Sequence, residues 1–497
     1  MRFISVKDFT YYLKSIGEIG YVEQTTTSTL FASGLPKAKP SEIVVFDTGD
    51  KGQIVSMSKD SVEILMFSES QVRPGTRLVR TSESFTFPVG FDLLGKITDP
   101  LGNPLETMKP SKSLTPRPIN MAPSGIIERK AINKPLETGV SSVDLVIPLG
   151  HGQRELIIGD RKTGKTSFLS QAIVTQAKKN NICIYAAIGK RKLDIKSLKE
   201  FFIKNKVMDR VAIIASSSED PTGIIYLTPF VAMTLAEYFR DEGYDVLLVL
   251  DDLSTHAKFY REVALLSKRF PGRNSYPADI FYTHAALLER AGNFITKKGE
   301  KSITCLPVAE TIQGDLSGYI QTNIMSMTDG HLYFDTDLFA KGRRPAINPY
   351  LSVTRVGRQT QTNTQRGISR EILSFLTLFE KMQNFSHFGA ELSESSKITL
   401  SVGDEIIKFF DQDTSTIIPS NIQIVLFCLL WGRIMQNRES QDTRHDMGKA
   451  VKAYQENKVL KKEIDEIVRK ASSFTELLGI VKQKGDKLLA DITKASS

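Results

Sequence analysis

Two hydrophobic patterns divide the chain into regions that favour different secondary structures. Between residue 16 and about residue 80, short β-branched and aromatic runs alternate with turn signals such as Asp47-Thr-Gly49 and Arg73-Pro-Gly75. This spacing is typical of a small all-β barrel or sandwich. The runs that we predict to be strands are residues 43–46, 53–57, 61–67 and 76–80.

A proline-rich passage follows this region. Seven of the 20 prolines lie between Pro100 and Pro135. Because proline removes a backbone donor and clashes with the preceding helical turn, the passage cannot be a long helix or a central strand. We interpret it as an ordered crossing between domains.

From Glu137 onward, short apolar runs alternate with helical patterns, which predicts a mostly parallel sheet covered on both faces. After about Gly357 the strand signal fades and helical spacing dominates. The predicted strands are 156–158, 182–188, 211–215 and 246–250, and the helical patterns cover 228–240, 253–269, 368–384, 402–410, 422–433 and 449–482.

The charge balance limits the choice of partners. The net charge of +9 and the pI of about 9.1 permit an acidic partner. However, basic blocks do not stand alone; Lys461 and Lys462, for example, are followed at once by Glu463. Solvated faces of mixed sign are the better explanation, and we expect no nucleic-acid partner.

The cysteines and the apolar runs indicate a cytoplasmic protein. Cys183, Cys305 and Cys428 lie in apolar runs and fit no metal-ligand spacing, as expected of core residues in a reducing compartment. The N-terminus lacks the apolar segment of a signal peptide. The longest apolar run, residues 422–432, is shorter than the ~20 residues that span a bilayer. Any membrane association is therefore expected to run through a partner.

Residues 152–167, GQRELIIGDRKTGKTS, carry the most specific chemistry. Gly159, Gly164, Lys165 and Thr166 satisfy the phosphate-loop pattern. An apolar run precedes the loop and a helical pattern follows it, so backbone N–H groups and a helix N-terminus surround one anion. We expect this loop to bind a nucleoside triphosphate, with Lys165 near the outer phosphates and the Thr166 hydroxyl on Mg²⁺. The predicted loop contacts are Gly159, Asp160, Arg161, Lys162, Thr163, Gly164, Lys165, Thr166 and Ser167.

A phosphate loop also needs a carboxylate that holds Mg²⁺ through water at the end of another strand. A predicted strand, residues 246–250, is followed directly by Asp251 and Asp252. We favour Asp251 as the metal residue because it directly ends the apolar run. The alternative is an aspartate that only caps the helix predicted from residue 253.

These observations predict a multidomain fold with about three domains. We expect an N-terminal β-barrel in residues 1–84. A central α/β nucleotide domain of the RecA-like phosphate-loop type is expected in residues 85–362, and a C-terminal α-helical domain in residues 363–497.

Motifs spread over nearly the whole chain resemble one family, the alpha subunit of the F-type ATP synthase head and of F-type-like rotary ATPases, including divergent mycoplasma-type sets. The resemblance implies three copies alternating with three catalytic beta-type subunits around a gamma-type shaft. The complex would lie on the inner face of the cell membrane and couple ATP hydrolysis or synthesis to rotation and proton transport. The motifs are residues 152–167, 251–254, 272–289, 322–329, 342–348 and 351–357.

The resemblance also implies roles for single residues. An alpha site of this family binds ATP or ADP with Mg²⁺ without turning it over. Arg344 and Pro345 would lie near the adenine, and Gln412 would reach it from the helical domain. Thr414 stands where a second glutamine is expected.

Arg355, within LSVTRVG, is the predicted catalytic residue. By its match to the family it acts in trans as an arginine finger in the neighbouring subunit's site. A planar, permanently charged guanidinium suits the charge that spreads over a transferring phosphoryl group.

Lys190 departs from the pattern of a catalytic site. Catalytic members of the superfamily carry a glutamate at this position, and alpha subunits usually a glutamine. A lysine donates hydrogen bonds only, so it cannot accept one from an attacking water. Its ammonium would either attract phosphate or turn to solvent. A base supplied by Glu310 or Asp315 is a further alternative.

Other functions remain open at this point. The main alternative is a dedicated F-type-like motor whose ATP hydrolysis drives surface or gliding machinery. A catalytic homohexameric export ATPase would need a glutamate in place of Lys190. A nucleic-acid translocase would need interleaved aromatic and basic residues, which we do not find in the sequence.

Overall fold

The computed structural model describes most of the chain, namely residues 7–26, 28–68, 72–106, 113–267, 269–387, 393–413, 416–434 and 442–494. Thr414 lies outside these ranges. The architecture is an N-terminal barrel, a central α/β domain and a C-terminal helical domain, as the sequence predicts.

The N-terminal region forms a closed antiparallel barrel with the strand order β1-β2-β5-β4-β3-β6. Its interior holds five fully buried side chains, those of Val44, Phe46, Ile54, Ile64 and Leu78. A short helix precedes the barrel, which the sequence did not lead us to predict. The elements are α1 (Phe9–Ile16), β1 (Gly20–Thr25), β2 (Thr29–Ser33), β3 (Glu42–Phe46), β4 (Lys51–Met57), β5 (Val62–Met66) and β6 (Arg77–Ser84).

The central region alternates strands and helices. All four strands predicted here are present, each slightly longer than its apolar run. The elements are β7 (Thr86–Val89), β8 (Ile97–Thr98), β9 (Thr115–Pro118), β10 (Pro135–Leu136), α2 (Ser141–Val146), β11 (Leu149–Gly150), β12 (Glu155–Gly159), α3 (Lys165–Lys178), β13 (Ile182–Lys190), α4 (Lys192–Lys204), β14 (Val211–Ser217), α5 (Thr222–Asp241), β15 (Val246–Asp251), α6 (Leu253–Leu266), α7 (Ile280–Leu288), β16 (Gly292–Thr296), β17 (Gly299–Glu310), α8 (Tyr319–Met327), β18 (Gly330–Phe334), α9 (Thr336–Ala340) and β19 (Val353–Thr354).

The C-terminal region is helical. The pattern over residues 449–482 belongs to three helices. Asn457 caps the second of them by accepting hydrogen bonds from the backbone N–H groups of Val459 and Leu460, and the third begins at Phe474. The elements are α10 (Asn363–His387), α11 (Glu394–Phe410), α12 (Ser420–Trp431), α13 (Asp442–Glu456), α14 (Lys458–Lys470) and α15 (Phe474–Lys494).

By their internal contacts, these elements form two compact units. The first comprises Met1–Ala131, Ala177–Thr311 and Asp315–Thr328, and the second comprises Ile132–Gln176, Ile312–Gly314 and Asp329–Ser497. Each unit gathers segments from separate parts of the chain. The domain boundaries at residues 84/85 and 362/363 therefore stay predictions.

In the first unit, parallel strands follow the order β17-β15-β13-β14-β8, and β16 pairs antiparallel with β17. Strand β15 is buried at every residue, as is β13 up to Ile188. This explains why both read as continuous apolar runs. Ala187 on β13 is the register partner of Asp251 on β15, so the carboxyl ends of the two strands meet at one edge.

Helix α5 has the length and apolar composition of a membrane span, but 83% of its most apolar window is buried inside the protein. A buried core helix passes the same test. The helix begins six residues before the predicted start at residue 228. The longer helix depends on tertiary packing, since its first turns are buried. Gly223 shows how close the packing is, because an added Cβ there would lie 2.2 Å from the carbonyl oxygen of Met66.

In the second unit, β12 pairs in parallel with β18, and β18 pairs antiparallel with β19. The helical region belongs to the same unit. Ser369 on α10 donates to the carbonyl oxygen of Leu145 on α2 at 2.5 Å, and Thr364 donates to the carbonyl oxygen of Ala471 at 2.9 Å. These buried bonds fix α10 on both sides.

Candidate nucleotide-binding site

The loop between β12 and α3 has the geometry of a phosphate loop. Gly159, the last residue of β12, has a φ of +154°, and an added Cβ would lie 2.3 Å from the carbonyl oxygen of Phe334 on β18. Only glycine tolerates this approach. Helix α3 begins at Lys165, so the N–H groups of its first turn and its dipole favour an anion at this point.

The Lys165 side chain is held over the loop by the loop's own backbone. Its Nζ donates to the carbonyl oxygens of Gly159 and Asp160 at 2.7 and 2.5 Å. Thr163 also donates to the carbonyl oxygen of Asp160, at 2.8 Å. The ammonium is thus kept where it adds positive charge to the loop.

The Asp160 carboxylate fixes the loop from the other side. It accepts hydrogen bonds from the backbone N–H of Gly314 at 3.0 and 3.2 Å and from the Thr336 hydroxyl at 3.2 Å. All three residues belong to the second unit. We therefore assign the Asp160 side chain to loop positioning rather than to an anion.

The structure brings the predicted loop residues together in one turn and the first turn of α3. Their side chains divide by exposure: Thr163 and Lys165 are buried, whereas Arg161, Lys162, Thr166 and Ser167 are exposed. The Thr166 hydroxyl is therefore accessible to an ion that accompanies a bound nucleotide.

The predicted adenine residues Arg344, Pro345 and Gln412 also lie in the second unit. The backbone N–H of Gln412 donates to the carbonyl oxygen of Arg344 at 2.6 Å. The Arg344 guanidinium lies over the Phe339 ring, with 3.6 Å to the centroid, and donates to the carbonyl oxygen of Phe339 at 2.9 Å. Pro345 follows directly along the chain.

The Gln412 amide is already hydrogen-bonded at both ends. Its oxygen accepts from the backbone N–H of Ser141 at 3.1 Å, and its nitrogen donates to the carbonyl oxygens of Gly139 and Thr416 at 2.7 and 2.5 Å. In this arrangement Gln412 ties the α10–α12 region to the segment before α2. The adenine contacts of Arg344, Pro345 and Gln412 stay predictions.

Arg355 follows β19 and is exposed. Its backbone N–H donates to the carbonyl oxygen of Asp329 at 3.0 Å. The Asp329 carboxylate is held by Arg154, whose guanidinium donates to both of its oxygens at 2.8 and 3.1 Å. Within the described ranges, no carboxylate lies within salt-bridge distance of the Arg355 guanidinium.

In the first unit, Lys190 meets the acidic pair at the end of β15. Its Nζ lies 2.7 Å from Oδ1 of Asp251 and 3.3 Å from Oδ2 of Asp252. Burial lowers the pKa of Lys190, but the two carboxylates outweigh burial and raise the pKa above its ordinary value. Lys190 is thus a cation bound to two carboxylates, a contact that we did not predict from the sequence.

Apart from Lys190, which both contact, the two aspartates have different partners. Oδ2 of Asp251 also accepts a hydrogen bond from the Tyr185 hydroxyl, and burial together with Asp251 raises the pKa of Tyr185 well above its ordinary value. Asp252 is the N-cap of α6, since its Oδ1 accepts from the backbone N–H of Thr255 at 2.5 Å. The capping role predicted as an alternative for Asp251 therefore belongs to Asp252.

The two alternative bases have different surroundings. Asp315 accepts hydrogen bonds from the Ser317 hydroxyl and backbone N–H, at 2.6 and 2.8 Å. These bonds lower the pKa of Asp315 and make it a weaker base. Glu310 ends β17, and its backbone N–H donates to the Ser254 hydroxyl at 3.0 Å.

Tyr185, Arg154 and Asp329 are residues of these sites that we did not predict from the sequence. A signal for Tyr185 exists, because a tyrosine inside an otherwise apolar buried strand needs a partner for its hydroxyl. Arg154 and Asp329 are separated by 174 intervening residues and give no local signal. Asp251 belongs to the first unit and Thr166 to the second, so their predicted joint role at Mg²⁺ stays a prediction.

Comparison with protein families assigns most of the chain. Residues 139–354 match the nucleotide-binding domain of the ATP synthase alpha/beta family. Residues 361–484 match the C-terminal domain of the ATP synthase alpha/beta chain. The first match contains the phosphate loop, Lys190, Asp251 and Arg344, and the second contains Gln412.

Two curated relatives are similar over most of their length. The ATP synthase subunit alpha of Aquifex aeolicus (strain VF5) is 39% identical over 422 residues, which is 85% of this chain and 84% of that protein. The ATP synthase subunit alpha of Neorickettsia sennetsu (strain ATCC VR-367 / Miyayama) is 39% identical over 430 residues, again 85% and 84%.

Proposed function

The chain belongs to the ATP synthase alpha/beta family as an alpha-type subunit of a rotary ATPase, and from this premise we propose that its own nucleotide site is non-catalytic. In this proposal ATP or ADP binds at the phosphate loop and is not hydrolysed there. Arg355 acts instead as an arginine finger in the site of an adjacent beta-type subunit. The observation that carries the proposed role in trans is the exposed Arg355 guanidinium.

The loop geometry supports nucleotide binding. The N-terminus of α3, the buried Lys165 ammonium and the close approach at Gly159 together favour a phosphate group. We propose that Arg344 and Pro345 contact the adenine. A contact from Gln412 would replace one of the hydrogen bonds that it makes to Gly139, Ser141 and Thr416.

Mg²⁺ would be held through the exposed hydroxyl of Thr166, where it would neutralise phosphate charge. The fit at Asp251 is poor, because each of its carboxylate oxygens already has a partner, namely Lys190 and Tyr185. We therefore propose a metal site that uses Thr166 and does not use Asp251.

Two features of Arg355 support its role in trans. Its backbone is fixed by Asp329, while Arg154 satisfies the Asp329 carboxylate. The Arg355 guanidinium is exposed and therefore accessible to a partner subunit. An arginine in this role stabilises the charge on the transferring phosphoryl group and contributes about 10³–10⁵ in rate.

The non-catalytic character rests on Lys190. Hydrolysis needs a side chain that accepts a proton from water or orients it, and Lys190 is a cation bound to two carboxylates. Asp315 is a weakened base because its pKa is lowered by Ser317. These features favour a site that retains nucleotide.

We further propose the assembly and its location. Three copies would alternate with three beta-type subunits around a gamma-type shaft, in a complex that couples ATP hydrolysis or synthesis to rotation and proton transport. The complex would lie in the cytoplasm on the inner face of the cell membrane, with membrane contact through partner subunits only. No nucleic acid is expected.

The test is Arg355→Ala in the assembled complex, with Arg358→Ala as the matched control. Arg358 is also exposed and lies three residues further along. We expect the Arg355 variant to lose about 10³-fold in ATPase turnover and to keep nucleotide binding, while the control stays near wild type. Turnover of the Arg355 variant within a few-fold of wild type would refute the finger assignment.

A second experiment separates the alternatives for the complex. Purified chain alone should bind nucleotide and show no ATPase turnover at the rate of the complex. Turnover at that rate would favour a self-sufficient ATPase of the export type, and salt-dependent binding to single strands would favour a translocase. Purification of the ring with surface machinery instead of a proton-conducting sector would favour the dedicated motor.

A further inference from the structure

The acidic pair at the end of β15 is enclosed. The side chains of Asp251 and Asp252 are 5% and 2% exposed, and that of Lys190 is 24% exposed. Lys190 reaches them from the end of β13, which pairs in parallel with β15 until Ala187 meets Asp251. The register of β13 with β14 then shifts between Ala187 and Lys190, and Lys190 ends the strand.

Every carboxylate oxygen of this pair has a partner. On Asp251, Oδ1 faces the Lys190 ammonium at 2.7 Å and Oδ2 accepts from the Tyr185 hydroxyl. On Asp252, Oδ1 accepts from the backbone N–H of Thr255 at 2.5 Å, and Oδ2 accepts from the Thr255 hydroxyl at 3.0 Å and faces Lys190 at 3.3 Å. A divalent ion, or the water that it holds, would have to break one of these contacts.

We propose that the Lys190 ammonium is a built-in cation that takes the place of a divalent ion at Asp251, so that the pair of Asp251 and Asp252 holds no Mg²⁺. The inference goes beyond the proposed function, because it concerns the acidic pair alone and not the phosphate loop. A free carboxylate pair at the end of a strand would attract a divalent ion, whereas this pair already faces the Lys190 ammonium.

The physical reason is that a tethered charge competes well with a hydrated ion. Lys190 is part of the fold and loses no translational freedom when it meets Asp251. Mg²⁺ demands nearly octahedral oxygen coordination and gives up water reluctantly. Replacing the ammonium would also break its contact with Oδ2 of Asp252, which lies 3.3 Å away.

The test measures Mn²⁺ binding to the full chain without nucleotide, by electron paramagnetic resonance of the free ion. Wild type and the control Lys192→Gln should bind Mn²⁺ only weakly. Lys192 is an exposed lysine two residues away that pairs with Glu219. Lys190→Gln should gain a site that binds at least about tenfold more tightly, because the carboxylates lose their internal cation.

A tight Mn²⁺ site in the wild-type chain that disappears in Asp251→Asn would overturn the inference. So would a folded Lys190→Gln chain that gains no Mn²⁺ site. Circular dichroism and thermal melting establish whether the variant folds. If Lys190→Gln does not fold, Mn²⁺ binding by the wild-type chain and by Asp251→Asn decides whether the inference holds.

Discussion

The guanidinium of Arg154 holds the carboxylate of Asp329 through two hydrogen bonds of 2.8 and 3.1 Å. The backbone N–H of Arg154 adds a third, at 2.9 Å. Because the carbonyl oxygen of Asp329 accepts from the backbone N–H of Arg355, this pair connects the start of β12 to the proposed arginine finger.

Arg154→Ala should therefore misplace Arg355 without touching the phosphate loop. We expect the ATPase turnover of the assembled complex to fall by about tenfold while ADP affinity of the isolated chain stays unchanged, a smaller loss than removal of the finger itself. The turnover of Arg154→Lys should lie between those of wild type and Arg154→Ala, because lysine keeps the charge but cannot form the two-pronged contact. Full turnover in Arg154→Ala would show that the finger is positioned by other contacts.

Gly159→Ala should abolish nucleotide binding. A Cβ at this position would lie 2.3 Å from the carbonyl oxygen of Phe334, so the loop backbone must move and its N–H groups lose their convergence. Binding of a fluorescent ATP analogue measures the effect. Gly448→Ala in α13 is the control, because an added Cβ meets no atom within 4 Å and alanine favours a helix. Normal binding by Gly159→Ala would argue against this loop as the site.

The ion pair of Arg290 and Glu237 should be a major determinant of stability in the first unit. Their side chains are 2% and 5% exposed, and the guanidinium donates to both carboxylate oxygens at 2.9 and 2.8 Å. Arg290→Gln removes this two-pronged contact and leaves the buried Glu237 carboxylate with Arg117 at 3.9 Å as its remaining cation, which costs about 3 kcal/mol of unfolding free energy. Urea unfolding measures this.

The matched control for Arg290 is Arg191→Gln. Arg191 and Asp194 form an ion pair in which both side chains are largely exposed. An exposed pair contributes about 0–1 kcal/mol, so this variant should unfold like wild type. If Arg290→Gln and Arg191→Gln changed the unfolding free energy equally, the buried pair would not be a major determinant of stability.

His256 and His284 should make the first unit sensitive to acid. Their rings are buried, and Nδ1 of His256 lies 3.0 Å from Nε2 of His284. Burial lowers the pKa of His256 to about 4, and burial with repulsion from His256 lowers the pKa of His284 well below its ordinary value.

The sign follows from proton linkage. The unfolded chain binds protons at these histidines below about pH 6.5, whereas the folded chain does not until lower pH. The stability contribution is therefore present above about pH 6.5 and is lost as the pH falls toward 4. We expect His256→Gln to be less stable at neutral pH but to lose less stability than wild type on acidification. Parallel pH profiles of the two proteins in urea unfolding would refute this.

Many elements of the fold could be predicted from the sequence because their signals are local. The run at residues 246–250 is β15, and the pattern from Leu253 is α6, although this helix ends at Leu266 rather than near residue 269. Helix α1 was missed. It is short and depends on local caps at Asp8 and Gly17 and on the packing of Tyr12 against Val45 and Val79.

The candidate site was predictable in part for the same reason. The phosphate loop is one continuous segment, so the spacing of Gly159, Gly164 and Lys165 is sufficient to predict its conformation. Gln412 shows the limit. The family resemblance implied a contact with a nucleotide base, and the structure gives its amide three backbone partners, two of which, Gly139 and Ser141, lie on a distant segment.

By itself, the sequence determined the three structural classes along the chain, the phosphate loop and the absence of an acidic base at position 190. Each depends on residues that are neighbours in the chain. Only the tertiary structure decided what Lys190 does. Parallel pairing of β13 with β15 brings together residues 61 positions apart and places the ammonium 2.7 Å from Asp251. Sequence spacing carries no record of that distance, because strand pairing and side-chain direction create it.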